Sequence, residues 1–350
     1  MIALTKKLRD GVDLTVPEVR YAVTLLLFDE GDDAVKAEFL AALHRKGESA
    51  DEIAAFVGQL IERAIDPKID PQNLPGPMID VCGTGGDGLD LFNVSTTIMF
   101  ILAAGGAVVV KHGNRSVTSR CGSADVLEAL GVSISLSPDD LRECVERLGL
   151  GFVFARQYHP AFRAIAGIRQ RLAREKKRTI FNLIGPLLNP ARPPRQLLGV
   201  FAPRLTGTFA EVLRRLGSER AWVVCGLTEG GDPMDDISTN GPTTLAELVD
   251  GKITAAVIDT RWLDVLPGLL PELLGGDAAE NAALLVGVLD GKVTGAKRDL
   301  AVVNAAAGFV VAGLATDLRE GVDLAREQID SGRALAKLHA LQNYKANVSR

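Results

Sequence analysis

No two of the four cysteines (Cys82, Cys121, Cys144 and Cys225) stand close enough in sequence to make a Cys-x-x-Cys pair, which excludes a zinc knuckle and a dithiol redox motif. A chain of 350 residues, 47% of them hydrophobic, can bury a large core without disulfides, so reduced thiols and a cytoplasmic location are expected. Basic excess is missing as well. The net charge of −5 argues against a general nucleic-acid binder. The longest apolar run, 98–110, is interrupted by Gly105 and Gly106 and ended by Lys111, too short to span a bilayer. The opening stretch MIALTKKLRDGVDL has no apolar core of the signal-peptide kind, and no membrane association is expected. There is no internal repeat, no low-complexity tract and no Ser-His-Asp or Cys-His arrangement suited to covalent catalysis.

Glycine, by contrast, is abundant: 36 residues, many in clusters, as where backbone approaches a ligand. Residues 1–70 have helical patterning. Thr15 and Glu18 form a capping-box pattern with Pro17 just inside, followed by Val19, Val23, Leu26 and Leu27 at helical spacing. A second helix is expected over 33–46 with Gly47 as its stop, and Ser49 with Glu52 caps a third. The stretch DPKIDPQNLPGP then reads as a linker. Beyond it, short β-rich runs (MIDVC, AVVV, VSISL, FVFA, LLGVF, AWVVC) alternate with helical stretches. The expected fold class is α/β: a small N-terminal helical domain, 1–72, plus a large α/β domain, 73–350, with a mostly parallel sheet.

Four segments carry candidate chemistry. The stretch DVCGTGGDG at 80–88 runs from a strand into a glycine-rich turn, then into a helix near Asn93. Glycines let consecutive N–H groups point at one anion, and the helix adds its positive end; Asn93, Ser95 and Thr96 are further donors. A tight turn with an Asn cap is the lesser alternative for this stretch taken alone, since glycine-rich turns are common. The stretch KHGNRSVTSRCGSAD at 111–125 also lies between a strand and a helix. It offers Lys111 as a point charge for phosphate and Ser119, Gly122 and Ser123 as uncharged donors. Asp235, Asp236 and Ser238 present adjacent carboxylates and a hydroxyl, a set that suits Mg²⁺, though acidic pairs in loops are commonly just solvated. Finally, Tyr158, His159 and Arg169 precede NLIGPLLNP at 182–190; a guanidinium such as that of Arg169 pairs bidentately with a carboxylate.

Together these segments resemble the anthranilate phosphoribosyltransferase family. The matching elements are GTGGD at 83–87, NVST at 93–96, KHGNRSVTSRCGSADVLEALG at 111–131, HPAF at 159–162, RTIFNLIGPLLNPA at 178–191 and DDIS at 235–238, in the family's order. The resemblance implies a homodimer of nucleoside phosphorylase/phosphoribosyltransferase-like fold that uses Mg²⁺. It implies transfer of phosphoribosyl from phosphoribosyl pyrophosphate (PRPP) to the amine of anthranilate, a small aromatic acceptor, in tryptophan biosynthesis. Gly83, Thr84, Gly85, Gly86, Asp87, Asn93, Ser95, Thr96, Lys111, Asn114, Ser119 and Gly122 would bind PRPP. His112, Asn114, Tyr158, His159, Arg169 and Gly185 would line the acceptor route. Ser95, Asp235 and Asp236 would hold the metal. Lys111→Ala is expected to weaken PRPP use far more than folding.

The departures gather on the acceptor side. Arg156 stands at a family proline, a short insertion separates Arg169 from Arg178, Cys225 replaces a frequent His and Asp236 a Glu. Cations at 156 and 174–178 would suit a more anionic or larger acceptor, so a paralogue with a different aromatic acceptor is one alternative. A non-enzymatic nucleic-acid-binding paralogue, suggested by the cationic run 169–178, is another, against which the net acidity weighs. Pyrimidine and thymidine phosphorylases share the fold, but their KxSGRGLGHTGGT pattern is absent from the 111–125 loop.

Overall fold

The computed structural model describes residues 1–27, 31–116 and 120–344. The chain opens with helices α1 (Ile2–Arg9), α2 (Val16–Leu27), α3 (Asp33–Lys46) and α4 (Ala50–Ile61). α3 begins at Asp32, whose side chain accepts the Ala34 N–H, and stops at Gly47 with φ 89°, a backbone conformation that favours glycine. α4 has its full capping box: Glu52 N–H donates to Ser49 Oγ at 3.3 Å and Ser49 N–H to Glu52 Oε2 at 2.9 Å. At α2, Glu18 accepts from the Thr15 N–H at 2.7 Å and from its hydroxyl at 2.9 Å. The sequence reading did not separate α1 from its surroundings. Its eight residues bury only Leu4, Thr5 and Leu8 beside three cations, too short a stripe to show a period.

After the proline-rich stretch come β1 (Met78–Gly83), β2 (Val108–Gly113), β3 (Leu150–Phe154), β4 (Arg195–Gly199), β5 (Arg220–Leu227), β6 (Pro233–Met234), β7 (Thr243–Val249) and β8 (Lys252–Ile258). They make one sheet of order β3-β2-β1-β4-β5-β7-β8, with β6 also on β5. β1 to β5 pair in parallel, while β6, β7 and β8 add antiparallel. Between the parallel strands lie α5 (Val94–Ala104), α6 (Ser123–Ala129), α7 (Pro138–Leu148), α8 (Ala155–Tyr158), α9 (Ala166–Arg174) and α10 (Leu205–Arg215). After the sheet follow α11 (Leu270–Leu273), α12 (Ala278–Leu289), α13 (Ala296–Ala312), α14 (Leu318–Asp330) and α15 (Arg333–Gln342). The chain leaves β1 toward β2 and β3, then returns to the other side of β1 with β4. This reversal opens a crevice at the carboxyl ends of β1 and β4, where ligands bind in open α/β sheets.

Alternate strand residues face two cores. Val81, Leu197 and Val224 join α5, α12, α13 and α14 in one. Cys82, Leu198, Val223 and Cys225 join α10, residues 165–188 and α1 to α4 in the other, so the helical bundle shares its core with one sheet face. Two sequence expectations change. VSISL at 132–136 is not a strand; its alternation arises because Val132, Ile134 and Leu136 are buried in an extended segment, which resembles a half-buried strand in sequence but has no ladder partner. The hairpin of β7 and β8 was not expected, although Asp250 (φ 47°) and Gly251 (φ 79°) form its turn with residues that favour such hairpins. Among the described residues no helix is long and apolar enough to cross a membrane.

Candidate functional site

The crevice is floored by glycines because Asp235 lies against it. Gly83 and Gly199 are Cα partners at the ends of β1 and β4. A Cβ on Gly83 would lie 2.3 Å from Asp235 Oδ2, and one on Gly199 would lie 1.5 Å from the Asp235 carbonyl oxygen. The turn after β1 is fastened from three sides. Thr84 N–H donates to Gly199 O at 2.9 Å, Phe201 N–H to Thr84 Oγ1 at 3.1 Å and Gly85 N–H to Asp235 Oδ2 at 2.7 Å. Gly85, Gly86 and Gly88 all take positive φ, which only glycine adopts without cost. Asp87 closes the turn: Leu89 N–H donates to its Oδ1 at 3.2 Å, and its Oδ2 lies 3.5 Å from the Asp235 N–H.

Below this turn is a charge cluster. Lys111 is not in the loop after β2, as the sequence suggested, but within the strand and 1% exposed. Its ammonium donates to the Val81 carbonyl and, at 3.1 Å, to Ser95 Oγ in the first turn of α5. Burial lowers the Lys111 pKa, while the charges of Asp80, Asp236 and Asp235 oppose the shift. Asp80 accepts from the His112 N–H at 3.2 Å and from Asn189 Nδ2 at 2.9 Å; burial pushes its carboxyl up to about 6, with Lys111 pulling back. Burial and the Asp87 charge push Asp235 up to about 7, and burial with the Asp235 charge pushes Asp236 well above the usual carboxylate range. Ser95, Asp235 and Asp236 line one small cavity. Ser238 does not join them: it is 2% exposed, and its hydroxyl accepts from Asn240 N–H and Gly241 N–H.

The second loop also differs from expectation. Gly122 N–H and Ser116 N–H both donate at 2.9 Å to Asp125 Oδ2, so the chain's own carboxylate takes Gly122, one of the donors expected to meet phosphate. Gly122 is required for another reason, since a Cβ there would meet Ser116 N at 2.4 Å. Asn114 Oδ1 accepts from the Arg115 N–H. Ser119 lies outside the described residues. Three buried polar atoms here have no partner among the described residues: Asn93 Oδ1, Thr96 Oγ1 and His112 Nε2. Such orphans are uncommon in native proteins and fit a site completed by a ligand.

Beside them runs an aromatic shelf. His112 meets His159 edge-on at 5.4 Å, His159 stacks on Phe162 at 5.1 Å, and Phe162 meets Phe181 edge-on at 5.8 Å. Burial pushes His112 down to about 3 and lowers His159, so both rings are neutral at physiological pH. His159 Nε2 lies 2.8 Å from the Leu188 carbonyl, to which it can only donate. The Arg169 guanidinium lies over the Phe181 ring at 5.3 Å. It is half-buried and has no hydrogen bond or carboxylate partner among the described residues; burial, then the Arg156 charge, lowers its pKa. Above Gly185 the space is open, with no atom within 4 Å of an added Cβ. Tyr158 stands apart: it is 1% exposed, and its hydroxyl donates to the Leu136 carbonyl at 3.2 Å, which makes it a core anchor rather than part of the shelf.

Residues 2–64 match the helical bundle domain of a glycosyl transferase family, and residues 75–335 its a/b domain. An anthranilate phosphoribosyltransferase of Desulfatibacillum aliphaticivorans is 42% identical over 341 residues, 97% of each chain. Another, of Anaeromyxobacter sp. (strain K), is 44% identical over 335 residues, 96% of each chain. This chain belongs to the anthranilate phosphoribosyltransferase family. The crystal structure of the Thermus thermophilus anthranilate phosphoribosyltransferase matches with a TM-score of 0.88 at 39% identity, covering 97% of this chain and 98% of that one. The Saccharomyces cerevisiae enzyme, solved in complex with PRPP and Mg, matches with a TM-score of 0.85 at 25% identity, covering 98% and 97%.

Arg178, expected among the cations suited to a more anionic or larger acceptor, instead reaches the donor side. It donates to the Gly86 carbonyl at 3.0 Å and lies over the Phe201 ring at 4.5 Å. It therefore ties the inserted segment to the glycine turn. Other cations of the run it ends are also engaged within the chain. Arg171 donates to the Asp33 carbonyl, Lys177 pairs with Glu175, and Arg169 belongs to the shelf.

Proposed function

We propose that the chain transfers the 5-phosphoribosyl group of PRPP to the amine of anthranilate with release of pyrophosphate, the nitrogen–carbon bond forming at the ribose carbon as its bond to the diphosphate oxygen breaks. The observation that carries the acceptor half is Arg169. A half-buried guanidinium without an oxygen partner is costly, and it lies over an aromatic shelf beside the donor crevice, as an aromatic carboxylate requires. An aromatic amine is nucleophilic without strong base assistance, which agrees with neutral His112 and His159. The remaining work is positioning two substrates.

The donor half rests on Gly83, Thr84, Gly85, Gly86, Asp87, Asn93, Ser95, Thr96 and Lys111, grouped about the crevice. Ser95, Asp235 and Asp236 would hold Mg²⁺, which supplies charge neutralisation to the departing diphosphate. Among the described residues no three His, Cys, Asp or Glu side chains gather to cage an ion. That suits magnesium, which commonly binds through one or two carboxylates plus substrate phosphates. The raised pKa values of Asp235 and Asp236 mark negative charge that a cation would relieve. The exposed Val16 and Tyr21 on α2 support a homodimer that covers them, and the expected division at 72/73 agrees with the matched ranges. Cytoplasmic work agrees with four free cysteines.

The test is steady-state turnover of PRPP and anthranilate with Mg²⁺, in the parent and in Arg169→Leu. The variant is expected to raise the KM for anthranilate by roughly 10- to 100-fold, the scale of a hydrogen-bonded charge, and to leave the KM for PRPP unchanged. An unaltered anthranilate KM would remove Arg169 from the acceptor site. Failure of the parent to turn over anthranilate while accepting another aromatic amine would favour the altered-acceptor paralogue.

A further inference from the structure

The acidic pair is held in place by a residue 68 positions beyond Asp236 in the chain. α13 is buried along most of its length, and Val302, Val303, Ala305, Ala306 and Ala307 are all 0% exposed. Among them stands one carboxamide, Asn304, 1% exposed. Asn304 Oδ1 accepts from the Ile237 N–H at 2.9 Å, and its Nδ2 donates to the Ile237 carbonyl at 3.1 Å and to the Leu300 carbonyl at 2.9 Å. The side chain thus pairs with Ile237 as a neighbouring strand would, in a stretch that has just left β6.

Two peptide planes are fixed by this arrangement. The first contains the Asp236 carbonyl and the Ile237 N–H. Gly226 N–H donates to its oxygen at 3.0 Å, and Asn304 Oδ1 accepts from its nitrogen. The second contains the Ile237 carbonyl and the Ser238 N–H. Asn304 Nδ2 holds its oxygen, and Thr243 Oγ1 accepts from its nitrogen at 3.0 Å. Both planes are gripped on both edges, immediately after the second carboxylate. α13 also packs closely against α5, which carries Ser95: a Cβ on Gly308 would lie 2.7 Å from a Leu102 methyl. One helix therefore sets the distance between the acidic pair and the hydroxyl that faces it.

We propose that Asn304 is a positioning residue for the cation of the donor site, acting by fixing the backbone of Asp235 and Asp236 relative to Ser95. This rests on the reading of those three residues as the metal set. Asn304 borders the same cavity as Ser95, Asp235 and Asp236, but its carboxamide oxygen and nitrogen are both taken by backbone; it acts as the partners behind metal ligands act elsewhere, where their loss typically weakens metal affinity about 10- to 100-fold.

The experiment uses Mn²⁺ as the probe, with calorimetric titration into the full chain in the presence of pyrophosphate. Asn304→Leu keeps the branching at Cγ, though it is bulkier, and removes all three hydrogen bonds, and Asn304→Asp keeps the acceptor and removes the donors. Val303→Ala is the control for destabilisation of the same helix. The expected result is an Mn²⁺ affinity at least about tenfold weaker in Asn304→Leu, a smaller loss in Asn304→Asp and none in Val303→Ala at a comparable fall in Tm. In turnover, the half-saturating Mg²⁺ concentration rises in the same order while the KM for anthranilate stays constant. If Asn304→Leu does not fold, Asn304→Asp decides alone. A folded Asn304 variant that binds Mn²⁺ as the parent does reduces Asn304 to a packing residue and overturns the proposal. A parent that binds no Mn²⁺ with pyrophosphate overturns the metal reading itself.

Discussion

Around the glycine turn, backbone and side chains hold one another. Thr84 leans on Gly199, Gly85 on Asp235, Gly86 on Arg178 and Phe201 on Thr84. Around Arg169 there is instead an aromatic surface, a second guanidinium and no oxygen within reach among the described residues. The donor side is preorganised through contacts that a side-chain change would break, whereas the acceptor side is a shaped, charged opening whose partner must arrive. The first kind of site leaves its mark in sequence as glycines at fixed offsets. The second leaves only residue types, and it tolerates an insertion between Arg169 and Arg178.

The largest effect expected from this contrast is on the donor side, beneath the turn. Lys111→Met removes the one ammonium among Asp80, Asp235 and Asp236 and leaves buried carboxylates without their cation. The change also leaves the buried Val81 carbonyl and the Ser95 hydroxyl without their donor, a loss of about 1–3 kcal/mol, so denaturant unfolding should show reduced stability together with loss of PRPP use. This departs from the expectation, drawn from the sequence, that PRPP use suffers far more than folding; a stable variant with lost PRPP binding would restore it. Next comes Gly199→Ala. The added methyl would sit on the Asp235 carbonyl oxygen, the acidic pair must shift, and a displacement on the scale of about 1 Å can cost roughly 100-fold in rate. The kcat/KM for PRPP should fall by about that factor while circular dichroism stays native. A near-parental rate would mean that the crevice floor yields, contrary to the rigidity argued for it.

The acceptor side should respond more gently, through protons. His112 is held at about 3 against an ordinary 6.5. The unfolded chain takes up this proton as pH falls through 6.5, and the folded chain does not until about 3. The stability contributed by neutral His112 is thus complete above 6.5 and is lost progressively below it. Asp80, raised from 3.8 to about 6, acts in the opposite sense: its contribution is complete below 3.8 and is lost as pH rises through 6. Asp235 and Asp236, also raised, act in the same sense as Asp80, so His112 is isolated by the difference between parent and His112→Gln: the parent should lose Tm relative to the variant as pH falls below 6.5. Parallel Tm profiles in parent and variant would show that His112 is not the group responsible.

Legibility followed the same division. The bounds of α3 and its glycine stop could be read because propensity, capping and period agreed there. The glycine turn could be read because its conformations admit few other residues. VSISL misled because one-sided burial has the same period with or without a ladder. Lys111 lies deeper than the sequence suggests, since nothing in a sequence distinguishes a cation at a strand's end from one inside the sheet. Gly122 was read as a ligand donor because the competing acceptor, Asp125, lies only three residues away and its side-chain direction is not encoded in spacing. Asn304 had a visible signal, a single amide in a continuous apolar helix, but its partner Ile237 is distant in sequence. Tyr158 was assigned to the acceptor because it adjoins His159; its burial against Leu136 depends on a segment misread as a strand.

The smallest effect tests where acceptor selectivity resides. Arg156 is exposed, and its charge disfavours that of Arg169. Arg156→Gln should change the KM for anthranilate by less than about fivefold, because an exposed charge pair contributes only about 0.2–1 kcal/mol. A benzene ring bearing one amine and two carboxylates is the sharper probe. If the second carboxylate reaches Arg156 through water, parent and variant should differ little on it as well. Water around an exposed guanidinium screens its field, whereas the half-buried Arg169 keeps most of its own, so discrimination for one carboxylate belongs to Arg169. A loss of tenfold or more on anthranilate in Arg156→Gln would mean that the bound acceptor excludes water from that guanidinium. The acceptor side would then be closed in the complex, and its contrast with the donor turn would hold only for the free chain.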